Sequence, residues 1–210
     1  MSTWKLSLIL TAVVALALTM PRLSFGEEAK GDKVKLEIEL PKPLFIGTPK
    51  NIKTPNLEPP RKGKPAPFFV PKGTKNISFE KTVTASDMEP IIGDIEQLTD
   101  ADKEGRDGSY VEFGPGKQWV QIDLAAAHNI YALVVWHYHS QARVYRDVVV
   151  QVADDADFIT NVQTLFNNDH DNSSGLGIGK DKEFIETNDG KLVDAKRVKT
   201  RYVRLYSNGS

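Results

Sequence analysis

A succession of short β-type runs constrains this 210-residue chain more than any other feature of it. From Gly73 onward come "NISFEKTVTAS", "SYVEFG", "QWVQIDL", "NIYALVVWHYH", "DVVVQVAD", "KEFIET" and "RYVRLYS", rich in Val, Ile, Tyr and Trp and separated by turn residues. Only "DMEPIIGDIEQLTDADK" and "DADFITNVQTLF" have room for a turn or two of helix. Parallel βαβ folds need a helix between strands, so an antiparallel sandwich or barrel is expected. Alternation assigns the faces. Val120, Ile122 and Leu124 share one side of their strand, with Trp119, Gln121 and Asp123 on the other. Val203 and Leu205 face in, opposite Tyr202, Arg204 and Tyr206. Trp119 and Trp136 read as core or sandwich-edge residues before they read as sugar-stacking platforms.

The first half is built differently. Nine of the 12 prolines lie between Pro41 and Pro71. Proline fixes φ and lacks an N–H, so this tract is extended and cannot be helix or a central strand. Before it, "KVKLEIEL" alternates apolar and charged residues as a half-exposed strand would. Leu44, Phe45, Phe68 and Phe69 give the tract apolar surface with which to pack. The extreme N-terminus reads as an export signal: Lys5, an uncharged run from Leu6 to Met20, then small residues at Ser24 and Gly26. The run is short for a membrane span. Cleavage after Gly26 leaves 25 basic and 28 acidic residues, a net charge of -3. Neither that charge nor any basic stripe suggests nucleic acid as a partner. With no cysteine, an exported chain has only its core, or bound metal, to hold it together.

Four groups of residues carry possible chemistry. "LFNNDHDNSSGLGIGKD" (165–181) concentrates Asn, Asp and His around alternating glycines. It fails as a phosphate loop because Ser174 and Asp181 stand where glycine and a hydroxyl are needed. It fails as an EF-hand because Lys180 stands at the bidentate position. A flexible polar loop, a ligand-contacting rim and a loose metal site remain open. His137 and His139 in "WHYHSQAR" are two apart, a common metal-binding fragment. The cupin pattern wants a glutamate where Arg143 and Val144 stand, and a guanidinium is a poor neighbour for a cation, so a ligand-facing pair is favoured. Asp100 and Asp102 put hard oxygens on a turn that would suit calcium. No hydrolase signature stands out, and Asn76, Asn172 and Asn208 begin N-x-[ST] triplets.

In order and spacing, "KTVTAS" (81–86), "LTDADK" (98–103), "QWVQIDL" (118–124), "IYALVVW" (130–136), "DVVVQVADD" (147–155) and "RYVRLY" (201–206) resemble the discoidin, or coagulation-factor type C, domain. The resemblance implies a galactose-binding-like jelly-roll β-sandwich, non-catalytic, binding carbohydrate through loops at one end. It also implies a structural calcium near Asp100 and Asp102. In this chain Ala101 replaces the usual glycine between those acids, and the sequence ends at "YSNGS", where the family continues into a further strand with an acidic ligand.

The expectations are therefore a signal peptide over 1–26, a proline-rich extended arm over 27–72 with one short strand, and an all-β jelly-roll sandwich over 73–210. Ligand contacts are expected from His137, His139, Arg143, Asn168, Asp169, His170 and Asn172, and calcium at Asp100 and Asp102. The expected partner is a carbohydrate or glycoconjugate, with no nucleic acid, no transmembrane segment after cleavage, and further domains downstream. The chief rival is a metal-dependent jelly-roll enzyme using His137 and His139 with His170. A purely structural envelope domain is a third reading.

Overall fold

The structure is a computed structural model that describes residues 32–44, 52–61 and 63–208, together with the backbone of Val13–Val14. The expected signal peptide lies outside the described residues apart from that pair. Strand β1 (Val13–Val14) pairs with β4 (Lys75–Asn76), and β2 (Lys33–Lys35) pairs with β3 (Phe69–Pro71), both antiparallel.

One sheet dominates. It comprises β5 (Thr82–Ala85), β6 (Gln118–Val135), β8 (Val149–Ala153), β9 (Gln163–Asn167) and β11 (Lys191–Ser207), in the order β5-β6-β11-β8-β9, antiparallel throughout. The short pair β7 (Val144–Tyr145) and β10 (Phe184–Ile185) stands apart from it. The only helical element among the described residues is a 3-10 turn, Ile95–Leu98, held by a reciprocal bond between Asp94 and Gln97. Residues 163–167, which had room for helix, form β9, because pairing with β8 outweighs local preference.

The alternation in the sequence determines what the sheet buries. Val120, Ile122, Leu124, Val203, Leu205, Val150 and Val152 form the core with Phe166, Phe184, Ile95, Leu98, Val111 and Phe113. The opposite face carries Arg204, whose guanidinium lies 3.9 Å from the Phe158 ring and 4.6 Å from Trp119 while donating to Gln121 Oε1 and the Ala156 carbonyl. Asp123 and Arg201 form a two-bond pair on the same face, at 2.7 and 2.8 Å. The Arg201 guanidinium holds the Asp123 carboxyl below the ordinary aspartate value, against a smaller upward push from burial. Strands β6 and β11 stay paired past positive-φ residues at Ala125, Lys196 and Arg197, which turn the ladder where its register shifts.

The proline-rich arm packs on the sandwich. Val134 and Trp136 point away from the main core, and Ile38 of the arm packs against them. Leu57 bridges Glu183 in parallel, with Glu58 N–H donating to the Glu183 carbonyl and Glu183 N–H to Asn56. The arm therefore adds a segment beside β10. Two ion pairs clasp it, Arg61–Asp189 at 3.0 Å and Lys191–Glu58 at 2.9 Å. The expected strand of "KVKLEIEL" covers only residues 33–35, and Val34 and Leu40 stay exposed while Leu36 and Ile38 are half-buried.

Candidate functional site

The polar loop after β9 folds on itself. Asp169 is fully buried and its carboxylate accepts from the N–H of Ser173 at 3.0 Å, the N–H of Ser174 at 2.8 Å, and both serine hydroxyls. Burial pushes its pKa up, but the Ser174 hydroxyl and N–H and the Ser173 N–H outweigh that and bring it below the ordinary aspartate range. Asn168, also fully buried, accepts from Val148 N–H at 2.7 Å and donates to the Tyr145 carbonyl at 3.0 Å. Asn167 Nδ2 donates to the Gly177 carbonyl, and Asn172 Oδ1 accepts from Gly177 N–H. Gly179 passes so close that a Cβ there would lie 2.5 Å from the Asn167 carbonyl oxygen and 2.6 Å from Asp169 N.

These side chains replace the backbone partners a strand would supply, which is how a glycine-rich loop can be partly buried without orphaned amides. Asn168 and Asp169, expected at a ligand surface, are inside. His170 is half-buried and Asn172 exposed.

The pair His137 and His139 does not form one surface either. Each is only 1% exposed. His137 Nδ1 meets Glu186 Oε2 at 3.0 Å, and its ring stacks on Tyr145 at 4.4 Å. Tyr145 donates to the Tyr138 carbonyl, and burial followed by the charge of Glu186 raises its pKa. His139 Nε2 lies 2.8 Å from the Lys103 carbonyl, which can only accept, so Nε2 carries the proton; its Nδ1 is buried without a partner. The two imidazoles thus brace different segments, 184–190 and 103–105. Among the described residues, the side chains that bring three metal-competent atoms within 4.8 Å of one another are Asp147, Asp169 and Asp171, with no histidine. Asp147 was missed from sequence because only the pairing of β8 with β9 brings residue 147 to residue 169. Burial, then the charges of Asp169 and Asp171, hold its carboxyl above the usual range.

Arg143 does reach the surface. Its guanidinium lies 5.0 Å over the Tyr138 ring and donates to Gln141 Oε1 at 3.2 Å. Tyr138 meets Tyr110 edge-on at 5.3 Å, and Tyr110 OH donates to Asp107 at 3.3 Å. Arg106 and Glu104 flank them, 3.8 Å apart. The 103–106 segment is fastened to residues 139 and 140 by His139 and by Ser140, which donates to the Gly105 carbonyl. Two loops distant in sequence therefore present two guanidinium groups, two carboxylates and a carboxamide above a buried pair of tyrosine rings.

At the acidic turn, Asp100 Oδ1 accepts from Asp102 N–H and Asp102 Oδ1 from Glu104 N–H, both at 2.8 Å. Ala101 adopts φ 69, the conformation for which glycine is usual. Burial, with the charge of Asp102 in addition, raises the Asp100 carboxyl. Lys103 Nζ sits 3.0 Å from the Ala101 carbonyl, a cation already placed on the turn. The donor set suits calcium in kind, since each carboxylate has a second oxygen.

No family model matches the sequence, and no curated protein does. Solved structures similar to the chain include a Clostridium perfringens module, CpGH89CBM32-4, in complex with GlcNAc-α-1,4-galactose (14% identity, 64% of this chain and 78% of that one, TM-score 0.45). A Streptococcus pneumoniae fucose-binding module is similar at 18% identity, 65% and 88% coverage, and TM-score 0.45. Chitosan-binding module 2 of a Paenibacillus sp. IK-5 chitosanase/glucanase, in complex with chitotriose, matches at 15%, 64% and 88%, and 0.38. These modules have the discoidin-like, galactose-binding β-sandwich fold that the ordered motifs resemble.

Proposed function

We propose that the chain is a non-catalytic carbohydrate-binding module of an exported protein, with its ligand contacts on the rim formed by residues 104–110 and 138–143. The observation that carries this reading is the Arg143 guanidinium held over Tyr138 beside Gln141 and near Asp107. A guanidinium fork and carboxylates recognise vicinal sugar hydroxyls by paired donors and acceptors, and the buried rings of Tyr138 and Tyr110 support the guanidinium from beneath. A glycan array on the full chain should give hits that Arg143→Ala with Gln141→Ala weakens by at least about tenfold, the usual cost of losing a central contact. Asp107→Ala should weaken them with no change in melting temperature. An array without hits, or hits indifferent to all three substitutions, would refute the rim.

Export rests on the Lys5, Leu6–Met20, Ser24-x-Gly26 pattern. N-terminal sequencing of the protein recovered outside the cytoplasm should begin at or near Glu27; recovery only inside, starting at Met1 or Ser2, contradicts it.

A structural calcium at Asp100 and Asp102 belongs to the same reading. At a hundredfold over its dissociation constant, calcium adds about 2.7 kcal/mol, or roughly 5–10 °C in melting temperature for a domain of this size. Lys103 competes for the Ala101 carbonyl, so Lys103→Ala should enlarge the calcium-minus-EDTA difference and Asp100→Ala should abolish it. Equal melting in EDTA and millimolar calcium for both the native chain and Lys103→Ala rules the site out.

A further inference from the structure

The acidic turn and the rim lie on one stretch of chain. Residues 99–110 belong to no strand or helix, so their own contacts place them. Asp102 Oδ1 accepts from the N–H of Glu104, a carboxylate of the rim, at 2.8 Å. The Lys103 carbonyl accepts from His139 Nε2 at 2.8 Å, and the Gly105 carbonyl accepts from the Ser140 hydroxyl. The fit against residues 139 and 140 has no slack: a Cβ on Gly105 would lie 3.1 Å from Ser140 Oγ and 3.3 Å from His139 Nδ1. A displacement at the turn therefore reaches the rim directly.

The rim end of this segment is incompletely bonded. Glu104 Oε2 and His139 Nδ1 are both buried without a hydrogen-bond partner, and each is an acceptor. The Arg106 guanidinium stands beside Glu104, but its Nε is 3.8 Å from Oε2, beyond hydrogen-bond reach. A buried acceptor without a donor costs free energy, so the gap is held open against that cost. Lys103 is placed to hold it. Its Nζ lies 3.0 Å from the Ala101 carbonyl, which ties residue 103 back to the turn.

We propose that Lys103 is a built-in cation that restrains the rim, and that calcium at Asp100 and Asp102 releases it, so that calcium and glycan bind with positive cooperativity. The proposal rests on the carbohydrate and calcium readings above. An ammonium and a divalent cation repel each other and cannot share the Ala101 carbonyl, so calcium displaces Lys103 Nζ. The freed segment then makes the shift of roughly 0.6–1 Å that brings Arg106 Nε onto Glu104 Oε2. The closed pair is a fixed donor and acceptor for sugar hydroxyls at the edge of the Arg143 cluster. By linkage, a glycan held by that pair strengthens calcium binding by the factor with which calcium strengthens its own.

The full chain is titrated with the array glycan of highest signal, once in EDTA and once in millimolar calcium. Calcium should raise the affinity about tenfold, and that glycan should raise the calcium affinity by the same factor. Lys103→Ala should bind the glycan in EDTA about as tightly as the native chain does in calcium. Lys103→Arg, which keeps a cation on the Ala101 carbonyl, should behave as the native chain. Melting in calcium against EDTA, without glycan, reads the turn by itself, and the array signal lost on Arg143→Ala reads the rim by itself. With both of those in place, equal glycan affinity in calcium and EDTA overturns the coupling and leaves the two readings standing. A Lys103→Ala chain that still needs calcium overturns the part given to the lysine. Absence of the calcium shift or of any array signal refutes the corresponding reading and the coupling with it.

Discussion

Replacing Asp169 by alanine should lower stability by about 3–5 kcal/mol, although Asp169 lies in a loop. The carboxylate is fully buried and is the acceptor for two backbone N–H groups and two hydroxyls. A buried donor left without a partner costs about 1–3 kcal/mol. The hydroxyls can turn to other acceptors, and water entering the void recovers part of the rest, so the total is below the simple sum. Urea melts of the native chain and the variant measure it, and a loss under about 1 kcal/mol would mean the loop is not organised around this group. Asp169→Asn keeps one acceptor oxygen and should cost less. The native carboxyl lies below its unfolded value. Its contribution is therefore complete above about pH 4 and is lost as the pH falls through the folded value. The asparagine variant should lack that part of the acid sensitivity.

Gly190→Ala should cost about 2–4 kcal/mol for a different reason. Gly190 has φ +71, where an L side chain is strained, and an added Cβ would lie 2.6 Å from Cε2 of Trp136. Trp136 cannot retreat. It is completely buried, and its Nε1 donates to the Asn188 carbonyl at 3.0 Å. Overpacking a rigid site typically costs about 1–3 kcal/mol, and the left-handed backbone adds roughly 1 more. Trp136→Phe in the same chain should return part of the loss, because a smaller ring vacates the contested volume. Thermal unfolding of the two single variants and the double variant gives the coupling. Strict additivity would show that the collision with Trp136 is not the cause.

The sequence determined the fold class through a period of two. The alternation in "QWVQIDL" and "RYVRLY" specifies which residues of β6 and β11 face the core, because a one-residue slip would turn Gln121, Asp123 and Arg204 into the apolar core in place of Val120, Ile122 and Leu205. The prolines likewise exclude helix from the arm, since each one removes a donor, and its described residues hold none. Nothing local, however, encodes that the arm lies beside β10 or that Ile38 covers Trp136, because those contacts join residues 126 and 98 positions apart.

The site residues show the same division. Clustering of Asn, Asp and His in one loop marked a place of dense hydrogen bonding, but sequence does not reveal whether polar atoms point outward to a ligand or inward to their own backbone. For Asn168 and Asp169 the glycines at 175, 177 and 179 let the loop close around them, and the backbone amides consumed the side chains. For His137 and His139 the chain beyond the end of β6 continued into the interior, where Glu186 and the Lys103 carbonyl met them. The Arg143, Tyr138, Tyr110 and Asp107 cluster exists only because two loops some thirty residues apart are fastened together. Periodicity fixes the face of a strand, whereas the direction of a loop side chain is decided by which distant donors and acceptors the folded chain brings within about 3 Å of it.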